Sequence, residues 1–282
     1  MHNEAGYGPL GQSLTAAPRN LVGSLVRNRY LIWQLAQREV AGRYRGSMFG
    51  LVWSFIHPLM MLGIYTFVFG TVFKARWGTS QSSHAEFALM VFTGMIVHAF
   101  FSECLNRAPQ LIVSNSNFVK RVVFPLDALA WSTVMAALFH AIISITVLMG
   151  FSVVVQGQLH WTAVLVPLVL LPLIVLVVGV VWFLAALGVF LRDIAQTMAI
   201  ISTMLMFLSP MFYPVSALPE SIQPVMRLNP LTLIMEQLRA VVIDGQLPDF
   251  QALSSYCGVA LLVALFGYVW FSRMRKGFAD VL

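Results

Sequence analysis

The side chains able to do chemistry are few and far apart. His57, His98, Glu103 and His140 are ionisable groups set in or beside apolar runs, the places where a gradient-driven transporter keeps its proton or ion relay. Glu103 stands about one turn from the end of its run and can reach water, which weakens it as a relay, and the histidines suit hydrogen bonds between helices better. Gly150-Phe151-Ser152 offers a G-x-S, but an intramembrane serine protease also needs a histidine on a later helix, and none follows residue 160. The chain has neither H-E-x-x-H nor carboxylates paired at a catalytic spacing. Cys104 and Cys257 make no disulfide framework and no metal-ligand spacing. No G-x-x-x-x-G-K-[ST] loop occurs, so ATP is not hydrolysed here by that route. Catalytic and metal-binding residues are therefore expected to be none, and energy must come from a partner or a gradient.

The elements that would position these groups are written in the composition. Of 282 residues, 59% are hydrophobic and 10% charged, with a mean hydropathy of +0.82, whereas soluble domains are about a quarter charged. No charged stretch is long enough for an extramembrane core, which excludes a fused soluble enzyme. Six apolar runs reach or approach the roughly 20 residues that cross a bilayer. They cover about Leu51–Phe73, Phe87–Leu105, Leu126–Val155, Thr162–Leu191, the stretch from after Asp193 to Pro210, and Ser255–Phe271. The first 24 residues, a tail, have neither the length nor the flanks of a cleaved signal. Six spans put both termini on one side. That side collects 13 of the 17 basic residues and the other four, so the termini are expected in the cytoplasm. The basic excess reads as topology, not as a nucleic-acid surface.

Three segments depart from this pattern. Residues 25–46 are too polar to span, yet Ile32, Trp33, Ala36, Val40 and Tyr44 share one helical face with Gln34, Arg38 and Arg45 opposite, as in a helix lying in the cytoplasmic interface. Leu31 and Leu35 fall outside that stripe, which leaves part of a second face to pack on protein. The loop 107–126 holds Asn115-Ser116-Asn117-Phe118-Val119-Lys120-Arg121 and then Phe124-Pro125, which reads as a capped short helix stopped by proline, with Phe118 an apolar anchor. An ordinary basic loop explains the charges equally well. Five of the 13 prolines, Pro210, Pro214, Pro219, Pro224 and Pro230, fall within 21 residues that are otherwise too apolar for a solvated loop. Short re-entrant helices over 211–229 resolve that conflict. Asn229-Pro230 then starts a helix running to about Asp244.

The order of these elements resembles a known family. An amphipathic helix passes through Arg43-Tyr44-Arg45-Gly46-Ser47-Met48-Phe49-Gly50-Leu51-Val52-Trp53 into a span with Pro58. Asn117-Phe118-Val119-Lys120-Arg121-x-x-Phe124-Pro125 follows, and Ser209-Pro210-x-Phe212-Tyr213-Pro214 precedes Asn229-Pro230-Leu231. The set is similar to the Wzm-type permeases, the membrane subunits of ABC exporters for O-antigen polysaccharide, with teichoic-acid and capsule relatives. The resemblance implies an all-α permease domain over 25–282, homodimeric in the bacterial inner membrane. It implies two copies of a cytoplasmic ATPase that holds the ATP and Mg, and no cofactor on this chain. The substrate implied is a polysaccharide linked to polyprenyl diphosphate, surrounded by membrane lipids. In the same terms, Asn115, Asn117, Phe118, Lys120, Arg121 and Pro125 belong to the coupling helix, and Trp33, Arg38 and Glu39 to the interface helix. Arg43 and Arg45 are candidates for the lipid diphosphate, and Pro210, Pro214 and Pro219 frame the exit gate. Trp53, Tyr65, Phe69, Phe207, Phe212 and Tyr213 are candidate sugar platforms along the path. Two rivals stay open: an exporter of the same build for a small amphiphile such as a drug or lipid, and an ATP-independent transporter or intramembrane enzyme.

Overall fold

Gly46 and Gly50 explain how the chain enters its first span. Both sit at positive φ, +85° and +49°, where a Cβ is strained, and they turn helix α1 (Arg29–Tyr44) into α2 (Trp53–Tyr65) through a 3-10 turn at Gly50–Val52. The computed structural model describes residues 23–72, 84–120 and 124–282, the side chains of residues 69–71 and 84 excepted. Among the described residues every regular element is helical. After α2 the backbone widens into π turns over Thr66–Val72. Then come α3 (His84–Arg107), a short α4 (Ser116–Val119), α5 (Asp127–Gln156) and α6 (Val166–Phe190). They are followed by α7 (Ile194–Phe207), α8 (Gln223–Leu228), α9 (Thr232–Val242), α10 (Phe250–Met274) and α11 (Phe278–Val281).

Among the described residues five helical stretches are long and apolar enough to cross a membrane: Gly50–Val68, Ala85–Gln110, Asp127–Gln156, Trp161–Phe190 and Phe250–Val281. The sequence counts six. The missing one is α7, whose 14 apolar residues rise roughly 21 Å against about 30 Å of hydrocarbon. Proline and serine at 209–210 end it early, because Pro210 has no N–H to continue the helical ladder.

The core forms around α6, where Val169, Leu173, Val178, Val181, Trp182 and Ala185 are all buried. Apolar residues all round a helix are the mark of a central one. Trp182 donates its indole N–H to Asp127 O at 3.2 Å and meets Trp131 and Tyr268 edge-on, at 5.7 and 5.2 Å between ring centres. The tightest pairing is α6 with α10. A Cβ on Gly267 would overlap the backbone of Gly179, and one on Gly179 would overlap Ala264, so these small residues let the two backbones touch.

The interface helix turns differently from its apolar stripe. Ile32, Leu35 and Ala36 are buried against α5, whereas Trp33 is 54% exposed. Leu35, outside the expected stripe, is inside the protein. Packing against another helix has taken the face that the stripe reserved for lipid.

Candidate functional site

On α1 an acid and a base stand four residues apart, Glu39 and Arg43, and on α3 another such pair, Glu103 and Arg107. Residues at this spacing share a helix face. The two faces meet. Arg43 donates to Glu103, Arg107 pairs with Glu39 at 2.6 Å and with Glu103 at 3.4 Å. His140 on α5 closes the ladder: its Nδ1 lies 3.1 Å from Arg43 Nη1 and 3.5 Å from Glu103 Oε2. Nδ1 thus lies between a group that only donates, the Arg43 guanidinium, and one that only accepts, the Glu103 carboxylate. The other ring nitrogen, Nε2, is buried and has no hydrogen-bond partner among the described residues. Burial pushes the Glu39 carboxyl above its ordinary value, with the Arg107 charge pulling the other way. Arg43, Tyr44, Trp53, His57, Glu103 and His140 line a cavity of about 320 Å³ above this ladder. An apolar groove of about 500 Å³ opens beside it between α1, the 3-10 turn before α2 and α5, with Trp33, Val40, Leu51 and Phe139 in its walls.

The loop after α3 meets the same helix. Arg38 Cζ lies 5.7 Å from the Phe118 ring centre, and Phe118 stacks on Phe124 at 4.2 Å with the planes 7° apart. Phe118 thus anchors the loop, although on α1 and Phe124 within this chain, and Asn117 and Lys120 are exposed beside it. Asn115 stands at the N-cap position of α4, but its amide donates back to Leu111 O at 2.9 Å and caps nothing. Pro125 opens the turn into α5. Arg121 lies outside the described residues.

At the other end of the bundle, the proline-rich stretch forms a 3-10 turn at Val215–Ala217 and then α8. Asn229 organises it. Its amide donates to Leu208 O and to Ser209 Oγ, both at 2.9 Å, while its Oδ1 accepts from the Leu231 N–H. Tyr213 OH donates to Phe207 O at 2.9 Å, so the last carbonyls of α7 are taken by side chains from the segment that follows. Pro210 is buried, Pro214 half-buried and Pro219 exposed. Gln156 and Thr162 accept the duty at the end of α9, donating to Ile243 O and Val241 O.

The six aromatic candidates are divided between two faces. Trp53 and Phe207 are exposed, on α2 and α7, while Tyr65, Phe212 and Tyr213 are half-buried; the side chain of Phe69 lies outside the described residues. Leu59, Met60 and Ile64 continue the open face of α2, Phe67 extends it into the π turns that follow, and Ile200 and Met204 continue that of α7. α3 packs against both helices, and His98 on α3 donates to Ser202 O of α7 at 3.0 Å, the interhelical role expected of it. Sequence reasoning overlooked Glu103 and Arg107 as partners of α1. Their i,i+4 pairing, matched by Glu39 and Arg43, was the available signal.

These features define a class: a multi-pass, all-helical membrane protein with a charged ladder at one end, a proline-framed turn at the other and open apolar faces between. The chain belongs to the ABC-2 type transporter family, which its residues 30–243 match. It is similar to the O-antigen export system permease protein RfbA of Myxococcus xanthus, 27% identical over 92% of this chain and 98% of that one. The protein of the same name from Klebsiella pneumoniae is 22% identical over 89% and 95%. The polysialic acid transport protein KpsM of Escherichia coli is 24% identical over 85% and 91%. The relatives named as permeases are transport subunits, which agrees with the lack of a phosphate loop here.

Proposed function

We propose that this chain is the permease half of an ATP-driven exporter that carries a polysaccharide linked to polyprenyl diphosphate across the bacterial inner membrane. The observation that carries the reading is the match to an O-antigen export permease along nearly the whole of both chains. Two copies pair, and each binds one cytoplasmic ATPase subunit that supplies ATP and Mg. Both termini face the cytoplasm, with α7 as the fifth of six spans. In support, α7 begins beside Ala108–Gln110 at one end of α3, and Met211, just past its end, packs on Phe87 and Val91 at the other. The segment 194–211 therefore covers nearly the depth of α3.

The loop 107–126 meets the ATPase. Its thrust reaches α1 through Arg38 and Phe118, and passes from α1 to α3 and α5 through the charged ladder. The open faces of α2 and α7 come together in the dimer around the path. Trp53, Phe207, Phe212 and Tyr213 give a long glycan flat surfaces to slide over without deep minima. Arg45, exposed just past α1, and the free edge of Arg43 receive the lipid diphosphate, since guanidinium pairs well with phosphate. The 211–229 segment is re-entrant and gates the outer exit.

Deleting the gene is expected to strand lipid-linked polymer in the cytoplasm and strip the surface glycan. An unchanged surface glycan would overturn the substrate and favour a small amphiphile. The coupling assignment makes a second prediction. Reversing Lys120 and Arg121 to Glu should cut export about tenfold or more while leaving ATP hydrolysis running, as loss of a few charged contacts at an interface allows. Normal export in that variant would return 107–126 to an ordinary loop.

A further inference from the structure

Arg239 lies on α9, 4% exposed, in a part of the molecule that the sequence marks only as amphipathic. Its Nε donates to Met90 O of α3 at 3.0 Å, and its Nη2 donates to Met211 O at 3.2 Å. The guanidinium thus bonds the backbone of two other segments: a long helix of the bundle, and the tight turn between α7 and the aromatic pair Phe212-Tyr213. Met90 is four residues before Gly94, so its carbonyl is the one over which a side chain at 94 would stand. A Cβ on Gly94 would come within 2.9 Å of Arg239 Nη2 and 3.2 Å of Met211 Cα. The missing side chain makes room for both. The Met211 side chain is fully buried with Phe87 and Val91, so the turn is held by its backbone and its side chain together. A rigid fork with several donors suits two carbonyls in fixed positions, which a lysine ammonium matches less well.

We propose that Arg239, admitted by Gly94, is the positioning residue that pins the Met211 turn against α3 and so holds Phe212 and Tyr213 in the closed exit. The proposal rests on the reading of 211–229 as the outer gate. Opening then requires the Met211 carbonyl to leave the guanidinium or α9 to move with the turn. Neutral loss of the pin frees a turn whose prolines cannot fold back into a continuous helix.

The test uses the full chain in its complex with the ATPase, with Cys104 and Cys257 changed to Ser and Tyr213→Cys as the only thiol. A membrane-impermeant maleimide is added from outside while the ATPase is idle. Labelling is expected to be slow with Arg239 present. Arg239→Met should raise its rate about tenfold, the scale of one lost hydrogen bond to a charged group. Gly94→Ala should raise it in the same direction by less, and Arg239→Lys should restore part of the protection. A purely structural arginine would lower the amount of complex and leave the rate per assembled complex unchanged; that result overturns the pin. If Arg239→Met fails to accumulate, Gly94→Ala decides, and unchanged labelling in it overturns the pin as well. Labelling of Tyr213→Cys only from the cytoplasmic side overturns the gate reading and the pin with it. Faster labelling in variants of a protein whose deletion leaves the surface glycan intact supports the pin and overturns the polysaccharide.

Discussion

Replacing Glu103 with alanine is expected to lower ATP-driven export about tenfold while the partner ATPase continues to turn over. Glu103 accepts from Arg43 of α1 and from Arg107 of its own helix, and faces His140 of α5, so one carboxylate joins three helices. Its removal leaves two guanidinium groups without their common acceptor. A hydrogen bond to a charged group contributes about 1.5–3 kcal/mol. Both arginine side chains are 37% exposed and water can re-solvate them, so a net loss of about 1–2 kcal/mol is the reasonable figure. That is too little to unfold the protein and enough to loosen α1 from the bundle about tenfold. Glu103→Gln, which keeps an acceptor and loses the charge, should fall between. The measurements are export and ATP hydrolysis by the same reconstituted complex, with protease protection of α1 as the structural readout. Parental export with α1 unprotected would show that the ladder transmits nothing.

How much of this was legible in the sequence differs from element to element. The long spans were, because an apolar run of 20 or more residues between charges has few other solutions in water or lipid. The apolar run from Leu126 begins one residue before α5, where Asp127 enters the first turn. The fifth run, taken to Pro210, is about three residues longer than the helix, because Leu208 keeps the hydropathy high while the α-helix ends at Phe207, ahead of Ser209-Pro210. The face of α1 is legible only in part: Leu35, outside the stripe, packs on protein as that second face allows, while Trp33 of the stripe is exposed. A stripe tells which residues avoid water, and both lipid and protein offer that, so the pattern does not separate Ile32 and Ala36, buried against α5, from Trp33 on the same stripe, which stays open. The ladder required knowing that α1 lies across α3, a long-range fact that composition does not hold. Arg239 shows the same limit: nothing in Glu236-Gln237-Leu238-Arg239 tells that the last side chain turns inward to carbonyls 149 and 28 residues away. Gly94 was equally silent, since its role is the space it leaves.

Gly267→Leu is expected to abolish accumulation of the folded permease. Residue 267 meets Gly179 backbone to backbone, so an added side chain finds no rotamer to displace and the helices themselves must part. Parting them undoes the edge-on meeting of Trp182 with Tyr268 and the packing of Phe183 on Trp270 at 5.5 Å. Overpacking a core costs about 1–3 kcal/mol where side chains can yield, and the upper end or more applies where only backbone can. In a membrane no hydrophobic driving force returns the separated helices, because lipid solvates their apolar sides as well as protein does. The matched control is Gly258→Leu on the same helix, where an added Cβ meets nothing within 4 Å. Both variants carry the same new side chain and the same gain in helix propensity, so their difference isolates the α6–α10 contact. Thermal unfolding in detergent should find the Gly258 variant near the parent and the Gly267 variant melted or absent. Equal midpoints would mean that α10 is held by its aromatic residues and by Asp249, whose Oδ1 accepts from the Gln251 and Ala252 N–H groups at its start, both at 3.0 Å, and that the close approach of the two glycines contributes little.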